Sequence, residues 1–204
     1  LYNNNFSAIK ENDEIEIEDK KIYTEDILNG AVPVLSNNLI PVTIDNDGTV
    51  RKADIYSKWY SYKEKIWANA VILNDTGKVE DNGIILEDSI ESYFVWLPRY
   101  KYKLFDMGNY TEGIEANQPS ESNAKEIEII FENKNKEISI GDEVGKYHSH
   151  PAFNVFDVNG LWVAKFETTG DLNQFTPKPN LLSLRSLNVK TMFEATLNYN
   201  RKNE

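Results

Sequence analysis

Gly160-Leu-Trp-Val-Ala-Lys-Phe-Glu-Thr-Thr-Gly170 constrains the fold more than any other stretch of the chain. Read with a period of two, Trp162, Ala164 and Phe166 share one face, and Leu161, Val163 and Lys165 share the other. The first face is fully apolar and the second carries one long amphipathic lysine. A strand of this kind needs cover on both sides or nearly so. Gly160 and Gly170 bracket it as turn residues. The spacing predicts a central strand for the second half of the chain, with residues 148–153 and 177–193 packed around it. Tyr93-Phe-Val-Trp-Leu97 is a second, nearly continuous apolar strand. The expected fold class is mainly β with minor α (α+β), built from antiparallel sheets and hairpins, with a short helix near the C-terminus.

The remaining segments fit that class. Glu14-Ile-Glu-Ile-Glu18 alternates strictly and reads as a surface strand. Thr24 can cap a single helical turn that Asn29-Gly30 ends. Pro33 and Pro41 are each followed by valine, which predicts edge pieces or strand starts, because proline cannot donate to a ladder. Asn46-Asp-Gly48 and Asn74-Asp-Thr-Gly77 are turns. Residues 58–62 and 66–73 flank the charged turn Lys63-Glu-Lys65 as the clearest hairpin, with Trp59 and Trp67 as cross-strand aromatic contacts. Residues 80–91 are acidic, with a short helix expected near 86–91. Residues 105–125 read as a long loop and 126–131 as a strand. Residues 133–136 form a turn, 137–140 its short partner strand and 141–145 a loop. Asn188 caps a helix from Val189, whose apolar stripe is Val189, Met192, Phe193 and Leu197. The domain expectation is a flexible segment 1–20, a hairpin-rich subdomain 21–80, and a β-rich second subdomain 81–204 carrying the C-terminal helix.

Composition excludes several classes of function. The 204 residues include 33 acidic and 22 basic side chains, a net charge of −11. Binding nucleic acid through phosphates needs the opposite balance, and an anionic membrane surface is disfavoured for the same reason. No apolar run reaches the roughly 18 residues of a membrane helix, so no membrane insertion is expected within this chain. The chain begins at Leu1, which is compatible with an upstream leader or anchor. With 12% aromatic residues it has the means to build a core. It has no cysteine and two histidines, which removes disulfides, thiolate metal sites and most nucleophilic triads.

Two motifs carry potential chemistry. His148-Ser-His-Pro151 places two imidazoles at i and i+2, on one face of a strand, where they can bind zinc. Gly145-Lys-Tyr-His-Ser-His-Pro151 also resembles the metal-binding turn of JAMM-type deubiquitinating metalloproteases. The serine and the metal-binding aspartate that follow in that family are replaced here by Val158 and Leu161. Asp157 is out of register, and Glu143 lies too near to be the upstream glutamate. The expected role is therefore a turn, with Pro151 fixing the bend and Phe153 entering the core; a zinc hydrolase using His148 and His150 is an alternative. The second motif is Arg99, Tyr100, Lys101, Tyr102 and Lys103. It reads as a half-exposed strand with a cationic outer face, and Arg99, Tyr100 and Tyr102 are the candidate ligand-binding residues. Acidic pairs such as Glu87 with Asp88, or Asp142 with Glu143, are ordinary in an acidic protein. No EF-hand loop, Gly-rich phosphate loop or nucleophile elbow is present. No catalytic residue, metal site or cofactor is expected.

Several segments together carry a resemblance. They are Ile22-Tyr-Thr-Glu-Asp-Ile-Leu-Asn-Gly30 with Pro33-Val-Leu35, Leu39-Ile-Pro-Val42, Trp59-Tyr-Ser-Tyr62 with Trp67-Ala-Asn-Ala-Val71, and Val95-Trp-Leu-Pro-Arg-Tyr100. His150-Pro-Ala-Phe153, Gly160-Leu-Trp-Val-Ala-Lys-Phe-Glu167, Lys178-Pro-Asn180 and Met192-Phe193 complete the series. The order resembles a group of largely uncharacterised proteins of Firmicutes and their phages, some of them surface or tail-fibre-like. In that group the Gly-Leu-Trp-Val-Ala-Lys-Phe-Glu segment is similar to the opening strand of the formylglycine-generating-enzyme fold, a relative of the C-type lectin fold. That fold is completed by a Gly-Gly/Asn-x-Trp-Glu signature, which this chain does not reach. The resemblance thus implies an incomplete C-type-lectin-like domain in the second half. The enzyme's catalytic cysteines have no counterpart, so no oxidase activity is implied. What it implies is a non-enzymatic protein outside the cell, on a bacterial surface or a virion. Its partners would be a host-surface glycan or protein, or other structural subunits in an oligomer. A pilin-like or scaffold subunit is a further alternative.

Overall fold

Tyr93 and Trp96 lie three residues apart on one strand, point to opposite faces of a sheet, and each anchors a separate apolar cluster. The structure, a computed structural model, describes residues 21–25, 32–103, 128–132 and 147–202. Several expected features fall outside the described residues. These are the flexible segment 1–20 with its strand at 14–18, the helical turn leading to Asn29-Gly30, the loop 105–125, and the turn, partner strand and loop of 133–145.

The chain is mainly β. Six antiparallel strands form the main sheet: β1 (Ile40–Ile44), β2 (Val50–Lys52), β3 (Asn69–Leu73), β4 (Ile84–Ile85), β5 (Ile90–Pro98) and β9 (Gly160–Ala164), in the order β4-β2-β1-β3-β5-β9. A second sheet holds β6 (Tyr100–Lys103), β7 (Glu128–Phe131) and β8 (His148–Ser149), with β6 in the middle. β10 (Gly170–Asp171) and β11 (Gln174–Phe175) form a small ribbon. The helices are α1 (Pro151–Phe156) and α2 (Val189–Lys202). The main sheet contains strands from both sides of residue 80, so the expected division at 80/81 cuts through one hydrogen-bonded unit.

Local chemistry explains the connections. Gly48, at φ +86°, completes the β1–β2 turn, and Asp47 Oδ1 accepts the Thr49 N–H at 2.9 Å. Asn188 caps α2 as its sequence predicts, its Oδ1 accepting the Thr191 N–H at 2.8 Å. The expected short helix near 86–91 is a single 3-10 turn, Glu87–Ser89, leading directly into β5.

Three expectations are corrected. β9 is an edge strand of the main sheet rather than a central one; the interior strands are β2, β1, β3 and β5. β9's apolar residues are covered from the side: Trp162 is the register partner of Trp96, with ring centroids 5.4 Å apart. Pro41 stands at the start of β1, one of the two placements expected for it, and β1 itself is an interior strand because Pro41 sits where β2 ends. Its carbonyl accepts the Ala53 N–H at 2.8 Å, and the missing donor faces past the ladder. Residues 58–73 form no extended hairpin. Ser61 and Ile66 make one isolated bridge, Lys65 adopts φ +60°, and strand geometry begins only at Asn69. Trp59 packs against Tyr60 and Trp67 against Tyr62, each edge-on.

The third correction concerns α2. Its expected inward stripe is largely exposed: Val189 is 86% and Phe193 62% accessible. The helix docks instead through Ala195, which is buried, and Tyr199, which stacks on Phe175 and donates to Ser92 Oγ at 2.9 Å.

Candidate functional site

The structure places Arg99, Tyr100 and Tyr102 together, but not on an open cationic face. Arg99 and Lys101 are buried, 8% and 4% exposed, so the expected outer face of β6 points inward. Arg99 Nε donates to Glu132 Oε1 at 2.9 Å, Nη1 to the Phe153 carbonyl at 3.1 Å, and Nη2 to Asn154 Oδ1 at 2.5 Å. Its guanidinium also lies 5.9 Å from the Phe153 ring centre. Ser149 Oγ donates to the same Glu132 oxygen at 2.5 Å. Arg99 therefore ties β7, β8 and α1 to the end of β5, and its donors are committed. Tyr100 is half-buried under α1, 5.3 Å from the Phe153 ring and 5.8 Å from the His150 ring. Tyr102 is half-buried beside it, with ring centroids 6.3 Å apart.

The histidine motif resolves into a strand end and a helix cap. His148 belongs to β8, and His150 is the N-cap of α1, its Nδ1 accepting the Ala152 N–H at 3.3 Å. One ring nitrogen of His150 is thus occupied by the backbone. Pro151 opens the helix and Phe153 is fully buried, as the turn reading expects. Among the described residues, no group of three or more His, Asp or Glu side chains is placed to hold a metal ion.

The site with the most varied chemistry is a cleft on the Tyr93 face of the main sheet, with a volume of about 540 Å³. Its floor is Tyr93 and Phe166, packed edge-to-face at 5.5 Å, with Ile44 and Val50 beside them. One wall is the 3-10 turn carrying Glu87 and Asp88; the other is the loop of Lys178, Pro179, Asn180 and Leu181. The walls are tied together. Tyr93 donates its hydroxyl to the Glu87 carboxylate, and Lys178 Nζ donates to the Glu87 carbonyl at 2.9 Å and pairs with its carboxylate at 3.3 Å. Asn180 stands at φ +60°, a left-handed conformation that asparagine tolerates. Lys165 crosses the rim to donate to Asn69 Oδ1 at 2.7 Å.

Electrostatics keep these groups in defined states. Burial, then the Glu87 hydrogen bond and charge, pushes the Tyr93 hydroxyl well above the usual phenol range, so it stays a donor. Loss of hydration around Lys165 holds its ammonium below the usual lysine value, although the side chain remains accessible along its length. The cleft thus offers the partly exposed Phe166 ring, with Tyr93 almost wholly buried against it, an aliphatic edge at Leu181, and exposed carboxylate, ammonium and amide groups. Such a set orients a ligand carrying several hydroxyls over an apolar face. Sequence reasoning missed Tyr93, Phe166 and Lys178 as site residues. The available signal was Lys165, the single cation in an otherwise apolar strand.

Among the described residues, no helix is long and apolar enough to cross a membrane. No family model, curated protein or solved structure matches the chain.

Proposed function

We propose that this chain is a non-catalytic recognition module, displayed on a bacterial surface or a virion, which takes a saccharide in the Tyr93–Phe166 cleft. The observation that carries the reading is the pairing of an aromatic floor with a polar rim made of both charges and an amide. Sugars present one apolar ring face and a fringe of hydroxyls, and that division matches floor and rim. The resemblance to surface and tail-fibre-like proteins supports the setting. In that setting β9 corresponds to the opening strand of a C-type-lectin-like half. The test is a panel of cell-wall and host glycans presented to the intact chain, followed by titration of any hit with Asp88→Ala. Asp88 is exposed on the rim, so its loss weakens binding at unchanged melting temperature. A panel without a single retained glycan, or an Asp88→Ala protein that binds as wild type, sinks the reading.

A second reading, a subunit of an assembly, is favoured by the apolar stripe that α2 turns outward at Val189 and Phe193. Sedimentation across a concentration series distinguishes the two, since a subunit associates in the absence of any glycan.

A further inference from the structure

β9 is an edge strand without the usual defences of one. Gly160–Ala164 is apolar on both faces, a pattern that suits a strand with a neighbour on each side. The main sheet gives it one neighbour, β5. The opposite edge of that sheet is β4, only two residues long. A short edge offers little to pair with, and longer edges are normally guarded by a charge, a proline or a bulge. Residues 160–164 contain neither charge nor proline, and their register with β5 runs without a shift.

That register fixes which backbone groups face outward. The Lys165 N–H donates to the Tyr93 carbonyl at 2.9 Å, and the Arg99 N–H to the Asn159 carbonyl at 2.7 Å. Between these two bonds, Leu161 and Val163 are the β9 residues whose backbone groups face β5. The N–H and C=O of Trp162 and Ala164 therefore point away from the sheet, and no described residue bonds to them. Ala164 is exposed, and Leu161, Trp162 and Val163 are only half-buried, so the edge is open there.

A row of outward amides and carbonyls at this spacing is matched by another strand. Side-chain size and charge say whose strand fits. A two-fold axis through Val163 sets Trp162 opposite Ala164 of a second copy, and Ala164 opposite its Trp162. Each of these pairs joins a large side chain to a small one and exchanges both of its outward N–H···O bonds. Val163 faces its own counterpart, and Lys165 comes opposite Leu161. No like charges meet across residues 161–165, in a chain whose net charge of −11 opposes most self-contacts.

We propose that two copies of this chain pair antiparallel through β9, centred on Val163, and join their main sheets into one. The axis stands perpendicular to the sheet, so the Tyr93 faces of both copies look the same way and present their clefts side by side. The pair is closed and stops at two copies. It does not depend on what the cleft binds, and it does not use the α2 stripe.

The experiment follows air oxidation of single-cysteine variants of the intact chain, which has no cysteine of its own. In the pair, Val163→Cys lies opposite itself at a non-hydrogen-bonded position, with Cβ atoms about 4.5 Å apart, close enough for a disulfide. Leu161→Cys, on the same face, is displaced from its counterpart by about 13 Å along the strands. Phe193→Cys reports on α2. Cross-linking inside a formed pair is intramolecular, so at micromolar protein Val163→Cys is expected to oxidise to dimer about a hundred-fold faster than either control. Sedimentation of the wild type and of Ala164→Pro is the second measurement. The Ala164 N–H makes no bond within its own sheet, so proline there removes only the outward donor. The wild type is expected to sediment as a dimer, and Ala164→Pro to dissociate about ten-fold more readily, two neutral hydrogen bonds being lost per pair. If Ala164→Pro melts below the wild type, Ala164→Lys takes its place as a charged edge. A wild type that stays monomeric across the concentration series overturns the proposal. So does Leu161→Cys cross-linking as fast as Val163→Cys, or a dimer that Ala164→Pro leaves intact and Phe193→Ser dissolves.

Discussion

Gly160 lies flat against the indole of Trp96, so closely that a Cβ there would overlap the ring and stand 2.8 Å from the Leu97 carbonyl oxygen. The contact locks the edge strand β9 onto β5 at the point where its pairing begins. Gly160→Ala must push back either an indole at the centre of the second cluster or the backbone of β5. The expected loss is about 1–3 kcal/mol, read from the urea midpoint. An unchanged midpoint would show that the ring moves freely and that this packing is looser than described.

Arg99 is a clamp, and its removal strands a carboxylate. Glu132 is 17% exposed in its side chain and accepts from both Arg99 and Ser149. Arg99→Ala is expected to destabilise by about 3 kcal/mol, as breaking other buried ion pairs does. Arg99→Lys keeps the charge but loses the fork that reaches Glu132, Phe153 and Asn154 together, so it restores only part of that loss. Urea melts of the two variants, monitored at the tyrosines, test the order. Full rescue by lysine would reduce the clamp to a charge effect.

Glu25 gives the fold a defined acid sensitivity. Its carboxylate accepts the Ser61 hydroxyl at 2.6 Å and the Tyr62 N–H at 2.7 Å. Burial acts to raise its pKa, but these hydrogen bonds and the Lys63 backbone and charge outweigh it, so the folded value lies below 4.5. A depressed carboxylate contributes stability that is complete above the unfolded value and fades as pH falls through the folded one. Glu25→Gln should therefore be about 1 kcal/mol less stable than wild type near pH 7, with the gap narrowing as pH falls below the unfolded glutamate value. Thermal melts across that range decide the matter, and a gap that widens toward acid contradicts the assignment.

The outward stripe of α2 contributes little to the fold. Phe193→Ser, at a position 62% exposed, is expected to change stability by under about 0.5 kcal/mol. It should also raise solubility at high concentration. A large fall in melting temperature would place Phe193 in a packed interface.

Strand chemistry was legible where the pattern depended on near neighbours. Residues 93–97 read as a buried strand because both faces are apolar, and they form the heart of β5. The Asn188 cap and the turn at Gly48 were legible for the same local reason. Placement was not. Two apolar faces at Trp162 announce burial, but a strand at the edge of a sheet gains the same cover from an indole neighbour as from a further strand. Arg99 and Lys101 alternate with tyrosines as an exposed cationic face would. Distant groups turn Arg99 inward: Glu132, the α1 groups at Phe153 and Asn154, and the Val158 carbonyl. The cleft was invisible because its walls come from turns about ninety residues apart, Glu87 and Lys178, joined only when the sheet forms.

Pro98 and Gly160 face each other as register partners at the end of the β5–β9 ladder. The described strands between them, β6, β7 and β8, pair with one another outside the main sheet, which the chain leaves and rejoins at two points about 5 Å apart. The hold is not at that doorway alone: the Phe131 ring of β7 meets Tyr62 edge-on at 5.5 Å, and Tyr62 packs against the Trp96 cluster. An exchange of the second sheet would therefore be felt in the aromatic cluster beside the main one.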